Sequence, residues 1–165
     1  MTKIQPLIEA LREELQQYGE MLALLDRQQQ YLVARASTEV FQSISLIKAQ
    51  GGVIQEACAK REQCRRALAE EFGRPAEASF AALIPLLPAD YQPLMLALVD
   101  ENNELLARVG RRARQNHLML QRSVELMQDL LNTLLPAARP SSVYDGHGHQ
   151  PAAAASPRAL YEAVG

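Results

Sequence analysis

The sequence predicts an all-α protein: an elongated antiparallel helical bundle or coiled coil of three long helices, with a short connecting helix and a flexible C-terminal tail. Two observations predict this fold. Apolar residues recur in alternating steps of three and four through most of residues 1–135, and proline is confined to the first turns of the periodic runs, the connector between them and the segment after them. Residues 136–165 lack this periodicity and are rich in alanine, proline and serine. We therefore predict a helical bundle domain over residues 1–135 and a flexible tail over residues 136–165.

The composition is that of an ordinary globular domain. The chain has 165 residues, of which 48% are hydrophobic and 22% charged, so it is long enough to bury a sizeable core. Its formal net charge is only -2. A balance so close to neutral argues against nucleic acid or an acidic membrane surface as the main partner, and any basic patch must be local.

Cysteine usage and the N-terminus favour a cytoplasmic location. Cys58 and Cys64 lie on one predicted helix and point about 240° apart around its axis, which disfavours a disulfide between them. Met1, Thr2 and Lys3 do not begin a charged-then-apolar leader, and the apolar runs are too short and interrupted to span a membrane. We expect a cytosolic chain with reduced, partly buried thiols and without membrane insertion.

The first helix is predicted to begin at a capping box formed by Thr2 and Gln5, with Pro6 tolerated in the first turn. Its apolar seam comprises Ile4, Ile8, Leu11, Leu15, Tyr18, Leu22, Leu25, Gln29 and Leu32. A second stripe comprises Leu7, Met21, Leu24 and Tyr31. Two stripes suit packing against two neighbouring helices better than against one, which favours a bundle.

The periodicity then slips by one residue near Ala36, where Ser37 or Thr38 can cap a new helix with Glu39 in its first turn. We predict a tight helical hairpin here, and a continuous helix with a skip is left open. The second helix is predicted to end with Gly73 as its C-cap. Its apolar positions are Val40, Ile44, Ile47, Gly51, Ile54, Cys58, Leu68 and Phe72.

Gly51 and Gly52 lie in the middle of the second helix. Together they cost about 2 kcal/mol relative to two alanines, so a compensating reason is expected. Small residues on a seam admit a neighbouring backbone, and we favour close helix packing over a hinge as that reason.

A proline-rich connector precedes the last helix. Between Pro75 and Asp90 the sequence permits only a short helix around residues 77–84. The larger apolar side chains of the connector are predicted to plug one end of the bundle. They are Phe80, Leu83, Leu86 and Leu87.

The last helix is predicted to run from Asp90, as its N-cap, to Leu135, a length of about 65 Å. One stripe comprises Leu98, Asn102, Leu105, Val109, Arg112, Asn116, Met119, Ser123, Leu126 and Leu130. Another comprises Leu106, Ala113, Leu120, Val124, Met127, Leu131 and Leu134. Asn102 and Asn116 fall on the first stripe, where a buried amide must find a partner, and we interpret them as register-setting residues.

Two arginine-rich clusters lie on the helices. One comprises Arg108, Arg111, Arg112 and Arg114, and the other comprises Lys60, Arg61, Arg65 and Arg66. The overall charge is slightly acidic and the chain has no tryptophan. We therefore interpret both clusters as solvated or salt-bridged faces rather than as a nucleic-acid site.

The sequence contains no pattern that carries covalent chemistry. It has no phosphate-binding loop, nucleophile elbow or His-Glu-x-x-His pair. His147 and His149 are the only metal-like pair, and we interpret them as turn residues because no further ligand lies at suitable spacing. We predict no enzyme activity and no metal or other cofactor.

The most specific signal lies in the last helix and the tail. It is carried by the segment 116–123 (Asn-His-Leu-Met-Leu-Gln-Arg-Ser), by Leu126, Leu130 and Leu131, and, after a proline-containing gap, by Tyr144, Asp145 and Gly148. This arrangement resembles the FlgN family of flagellar export chaperones. A weaker upstream pattern of that family resembles Lys48, Arg61, Leu68 and Phe72.

The resemblance implies a cytosolic chaperone that binds hook-associated subunits, those of the hook-filament junction, and delivers them to the flagellar type III export gate. An exported coiled-coil subunit exposes an apolar helix before assembly, and a helical partner can cover that helix reversibly. The expected cargo-binding residues are Met119, Leu120, Leu126, Met127, Leu130, Leu131 and Leu134. The residues expected to dock at the export gate are Tyr144, Asp145 and Gly148.

Other readings are left open. The same apolar stripes suit the core of a bundle, so the alternative is a structural coiled-coil adaptor that self-assembles and has no export cargo. A homodimer is left open for the same reason. A regulator that binds nucleic acid through the arginine clusters would need steeply salt-dependent affinity. Residues 150–165 receive no predicted role.

Overall fold

Four α-helices make up most of residues 3–134, the part of the chain that the computed structural model describes. They are α1 (Ile4–Val33), α2 (Ser37–Glu71), α3 (Phe80–Leu83) and α4 (Gln92–Leu134), and a 3-10 turn at Ile84–Leu86 follows α3. No strand occurs among these described residues. The predicted all-α fold, with three long helices and a short connector, is confirmed.

The chain divides into two units, residues 1–128 and residues 129–165. The first unit is described over residues 3–128 and contains α1, α2, α3 and most of α4. The second is described only over residues 129–134, which are helical. The predicted tail over residues 136–165 lies outside the described residues, so the predicted domain boundary stays a prediction.

The helices α1 and α2 form an antiparallel hairpin. Gln28, near the end of α1, donates to Ser43 Oγ near the start of α2 (3.1 Å), whereas Lys60, far along α2, pairs with Glu13 at 2.6 Å. Arg35 adopts a left-handed φ of 56° between the two helices and reverses the chain. The predicted hairpin is therefore confirmed, and the continuous helix is excluded.

The starts of α2 and α4 differ from the predicted caps. Ala36 holds the N-cap position of α2 and makes no side-chain hydrogen bond. Ser37 is already the first helical residue and Thr38 the second, so neither serves as the cap. Asp90 lies in a turn ahead of α4, which begins two residues later at Gln92. Element boundaries depend on turn geometry that the apolar pattern does not encode.

The start of α1 also differs from the predicted capping box. Lys3 holds the N-cap position without a side-chain cap, and the Gln5 amide donates forward to Glu9 Oε1 (3.3 Å). Thr2 lies outside the described residues. The Nζ of Lys3 instead donates to the backbone oxygen of Ala67 on α2 (3.1 Å), which links the two helices at this end.

Gly73 ends α2 with a Schellman motif. The residue has a φ of 62°, its N–H donates to Glu70 O (3.0 Å), and the N–H of Arg74 donates to Ala69 O (2.8 Å). Glycine adopts this left-handed conformation at the lowest cost. The predicted C-terminal signal at this position is confirmed.

The helix α4 lies parallel to α1 within the first unit. Asn102 donates to the backbone oxygen of Leu11 (3.0 Å), and Asn116 donates to that of Leu25 (2.7 Å). Both contacts join residues 91 positions apart in the sequence. A constant offset along two helices means that both run in the same direction and keep one register, so the three long helices run up, down and up.

A single apolar core lies at the end of the bundle that holds the start of α1. Its buried members are Ile4, Leu7, Ile8, Leu11, Leu68, Leu87, Met95 and Leu98. Leu83 and Leu87 of the connector are buried, and Phe80 packs against the core, as predicted. Leu86 is exposed, so its assignment to the plug is wrong. It belongs to the 3-10 turn, which cannot turn every apolar side chain inward.

The structure does not support close packing at Gly51 and Gly52. A Cβ atom placed on either residue meets no described atom within 4 Å. The prediction of close helix packing at this pair is wrong, because the pair lies on a part of α2 that faces open space.

None of the helices over residues 3–134 is long and apolar enough to cross a membrane.

Candidate functional site

The apolar seam of α4 passes from buried to exposed along its length. Leu98 and Leu126 occupy the same heptad position, four heptads apart, yet Leu98 is 6% exposed and Leu126 is 70% exposed. Met119 and Leu120, between them, are half-buried. The pattern that fills the core at one end of α4 therefore presents an apolar surface further along it.

The exposure begins beside the last turn of α1, where residues 121–124 of α4 are already exposed. The offset of 91 residues between α1 and α4 sets Val33, the last residue of α1, level with Val124. Val33 is itself 71% exposed. Residues 125–128 of α4, which we call the α4 extension, have no counterpart on α1, and they include the exposed side chains of Leu126 and Met127.

The described residues of the second unit also carry exposed apolar side chains. Leu130, Leu131 and Leu134 are all exposed. Thr133 bonds back to the Asp129 oxygen of its own helix (2.8 Å). The predicted gate-docking residues Tyr144, Asp145 and Gly148 lie outside the described residues.

The contact between α1 and α4 becomes polar towards the α4 extension. Asn116 is buried, and its Nδ2 donates to Gln28 Oε1 (3.0 Å) as well as to Leu25 O. Arg112 Nε lies 2.6 Å from Asp26 Oδ1, and its guanidinium also bonds Gln29. These directional contacts replace the apolar packing of the opposite end of the bundle. They hold α4 beside α1 as far as Gln29, one turn before the end of α1.

The sequence did not predict the buried carboxylate of Glu14 between α1 and α2. Glu14 is 1% exposed; Tyr18 Oη donates to its Oε1 (2.8 Å), Cys58 Sγ lies 3.1 Å from the same oxygen, and Arg61 Nε lies 3.4 Å from Oε2. Burial, together with hydrogen bonds to Cys58 and Glu14, raises the pKa of Tyr18, and burial likewise raises the pKa of Cys58.

The spacing of α1 did contain a signal for this cluster. A step of seven residues connects four buried side chains of α1, two apolar and two polar. They are Leu7, Glu14, Met21 and Gln28. Cys58 and Cys64 are both partly buried free thiols, so the prediction that they form no mutual disulfide is confirmed.

The basic cluster on α2 is neutralised by carboxylates. Lys60 pairs with Glu13 (2.6 Å), and Arg66 with Glu62 (3.0 Å). Arg65 pairs with Glu62 (2.5 Å) as well. The prediction of a salt-bridged face is confirmed for these residues, and Arg61 pairs with Glu14 as described above.

Arg65 differs from its neighbours because it is buried. Its Nη2 donates to the backbone oxygen of Ala76 (2.9 Å), and its Nη1 to that of Ala78. The residue thereby pins the connector against α2. Arg65 is thus salt-bridged rather than solvated, and its additional carbonyl partners belong to a loop that the helical pattern could not place.

Within residues 3–134 no group of three or more histidine, cysteine, aspartate or glutamate side chains is placed to hold a metal ion. The candidate site offered by the described residues is thus an apolar binding surface on α4, flanked by charged side chains. Such a surface binds another protein through burial of leucine and methionine side chains.

A family model described as FlgN protein matches residues 1–152 of the chain. The chain belongs to the FlgN family. This match includes α1 to α4 and the residues of the tail that carry the resemblance, from Tyr144 to Gly148. No curated protein and no solved structure matches the chain.

Membership of the FlgN family gives the chain a general role. FlgN proteins are chaperones of flagellum assembly, and they bind flagellar hook-associated proteins. The family is a chaperone family rather than an enzyme family. The chain is therefore a flagellar export chaperone with a helical-bundle fold.

Proposed function

We propose that this FlgN-family protein acts in the cytoplasm, where it binds hook-associated subunits of the hook-filament junction and delivers them to the flagellar type III export gate. Family membership supports the general role. The proposal assigns the binding of cargo to α4. It assigns docking at the gate to Tyr144, Asp145 and Gly148, on the strength of their resemblance to the family motif.

The observation that carries this proposal is the change in burial between Leu98 and Leu126. A stripe that continues past the end of its partner helix keeps the spacing needed to pack against a helix. In the α4 extension nothing among the described residues fills that role. A helix from another protein can therefore pack against the α4 extension as α1 packs against α4 between Asn102 and Asn116.

We infer that Met119, Leu120, Leu126 and Met127 form the cargo surface of the first unit. Leu130, Leu131 and Leu134 offer further apolar side chains in the second. Burying one exposed leucine or methionine side chain contributes about 1.5–3 kcal/mol when burial is complete. A micromolar complex needs about 8 kcal/mol beyond an association cost of at least about 4 kcal/mol, so most of these side chains must be buried together, and such a complex can still dissociate at the gate.

The proposed cargo surface of the first unit has a half-buried part, Met119 and Leu120, and an exposed part, Leu126 and Met127. Met119 Sδ lies 4.0 Å from Gln29 Nε2, so part of its contact area is already used inside the bundle. Leu126 and Met127 keep most of their surface in solvent. We therefore propose that the latter two contribute most to cargo affinity in the first unit.

We also infer that Asn102 and Asn116 set the register of α4 on α1. Their contacts with Leu11 and Leu25 support this role, since a shift of α4 by one turn would separate both amides from their acceptors. Register matters for function here because it determines how many residues of α4 extend past Val33.

Co-purification tests the proposed function. The tagged full chain is recovered from the cytosol of flagellated cells and its partners are identified by mass spectrometry. We expect one dominant exported hook-associated subunit in near-stoichiometric amount. Recovery of the chain with further copies of itself and no exported subunit would favour the self-assembling adaptor and contradict the proposal.

A further inference from the structure

The two arginine-rich clusters of the chain differ in a way that the sequence did not predict. Each of the four cations of the α2 cluster, Lys60, Arg61, Arg65 and Arg66, has a carboxylate partner. On α4, Arg112 pairs with Asp26, whereas Arg108, Arg111 and Arg114 form no ion pair with any described residue. Arg122, further along α4, forms none within residues 3–134 either.

The four unpaired arginines share one side of α4. Arg108, Arg111, Arg114 and Arg122, which we call the arginine face, fall within an arc of about 120° at 100° per residue. They extend over about 21 Å of helix. The face points away from α1, since Asn102 and Asn116 mark the side of α4 that contacts α1. All four side chains are exposed.

No acidic residue lies on this face between Arg108 and Arg122; Glu104 and Glu125 flank it, four residues before Arg108 and three residues after Arg122. Residues 105–124 contain five arginines and neither aspartate nor glutamate. Leu118 lies in the middle of the face and is 58% exposed. The surface thus combines four positive charges with one central apolar side chain.

We propose that the arginine face binds an acidic amphipathic helix of a partner protein, with Leu118 as its apolar anchor. Glutamate or aspartate side chains at helical spacing on the partner would pair with the four guanidinium groups, and a leucine or similar side chain would cover Leu118. This site is centred on a different side of α4 from the proposed cargo surface, although Arg122 borders Leu126 one turn away, and it does not depend on that proposal.

A protein helix fits the face better than a nucleic acid does. A phosphate backbone offers nothing to bury the exposed side chain of Leu118, whereas an amphipathic helix does. The arginine face contains no aromatic side chain on which a base could stack. The second basic cluster, which a wider nucleic-acid footprint would need, is already neutralised.

A titration with a defined probe tests this proposal. The probe is a fluorescent helical peptide of about 20 residues that carries glutamates on one side at steps of three and four with a central leucine. Its scrambled version has the same composition without a single acidic side. Fluorescence anisotropy measures binding to the full chain at about 50 mM and about 300 mM salt.

Two matched variants distinguish the face from the overall charge. The first replaces Arg108, Arg111, Arg114 and Arg122 with glutamine. The second removes four exposed cations elsewhere that form no ion pair with a described residue, by Arg12→Gln, Arg27→Gln, Lys48→Gln and Arg74→Gln. Both variants lose the same charge. Circular dichroism checks that both keep the helical content of the wild type.

We expect the wild type to bind the ordered peptide more tightly than the scrambled one, with weaker binding at the higher salt concentration. The first variant should lose about tenfold or more in affinity and the second about twofold or less. Leu118→Ala should weaken binding without changing its salt dependence. Equal losses in the two charge variants, no preference over the scrambled peptide, or tighter binding to duplex DNA would each overturn the proposal.

Discussion

Asn102 donates its Nδ2 to the backbone oxygen of Leu11 at 3.0 Å, and two heptads further along α4 Asn116 makes the same contact with Leu25 at 2.7 Å. The Oδ1 atoms of both asparagines are buried and have no hydrogen-bond partner among the described residues. An unpaired buried oxygen costs free energy, so these amides select one register at the expense of stability.

Replacing Asn102 with leucine is therefore expected to raise the free energy of unfolding by about 1 kcal/mol, because it removes a buried unpaired oxygen and the Asn102 amide donates only to backbone oxygens of the helical residues Leu11 and Leu98. The same change is expected to permit other registers and oligomers. Urea unfolding measures the first effect and analytical ultracentrifugation the second. The exposed neighbour Asn103 supplies a control, since Asn103→Leu should do neither. A less stable Asn102→Leu variant that stays a single species would contradict this interpretation.

Leu68 anchors α2 in the core. It is 1% exposed, and Leu68→Ala is expected to lower the free energy of unfolding by about 2–5 kcal/mol through lost burial and a cavity. Leu46→Ala, on the exposed side of the same helix, is expected to change it by about 0.5 kcal/mol or less. Chemical denaturation compares the two variants, and similar losses would show that α2 does not pack as described.

Two glycines of α2 should respond to alanine in opposite ways. At Gly73, with a φ of 62°, alanine is strained, and a loss of about 1 kcal/mol in stability is expected. Gly52 is helical and exposed with no described atom in the way, so Gly52→Ala should add about 0.5–1 kcal/mol. Thermal unfolding followed by circular dichroism measures both changes. Stabilisation by Gly73→Ala would contradict the left-handed turn.

Glu62 links stability to pH. The hydrogen bond from Arg65 is the main reason that its pKa falls from 4.5 to about 2, and Arg66 adds to it while burial opposes it. A carboxyl whose folded-state pKa is depressed stabilises the fold above about pH 4.5 and loses that contribution as the pH falls towards 2. The effect is modest because a third of the side chain is exposed.

Comparison with Glu62→Gln tests this linkage. The variant should be less stable than the wild type near neutral pH, and the difference should vanish between pH 4.5 and about 2. Urea midpoints at a series of pH values measure it. Glu56→Gln, at an exposed position with no ion pair among the described residues, should follow the wild type throughout. A difference that persists at pH 2 would contradict the role of Arg65.

The periodicity of apolar residues was enough to predict the helices, the hairpin and the burial of Asn102 and Asn116, because each of these follows from which residues share a helix face. The pattern could not place Arg65, whose carbonyl partners come from the connector. It also predicted close helix packing at Gly51, where no described atom lies within 4 Å of an added Cβ atom.

The candidate site was likewise predictable from the sequence only in part. The stripe that includes Leu98 and Leu126 is visible in the sequence, but its change from core to exposed surface depends on where α1 ends relative to α4. That relationship is a property of the register between two helices. The exposure that supports the proposed cargo surface on α4 could therefore be recognised only from the contacts of Asn102 and Asn116 in the structure.

The most direct test of the central claim is a calorimetric titration of a hook-associated flagellar subunit into the full chain and into a Leu126→Ser, Met127→Ser variant. We predict that the variant binds at least about tenfold more weakly, because two exposed apolar side chains no longer contribute burial. A control variant with Leu46→Ser and Val53→Ser, two exposed apolar positions on α2, should bind like the wild type. Unchanged affinity in the α4 variant, or an equal loss in the control, would contradict the assignment of cargo binding to α4.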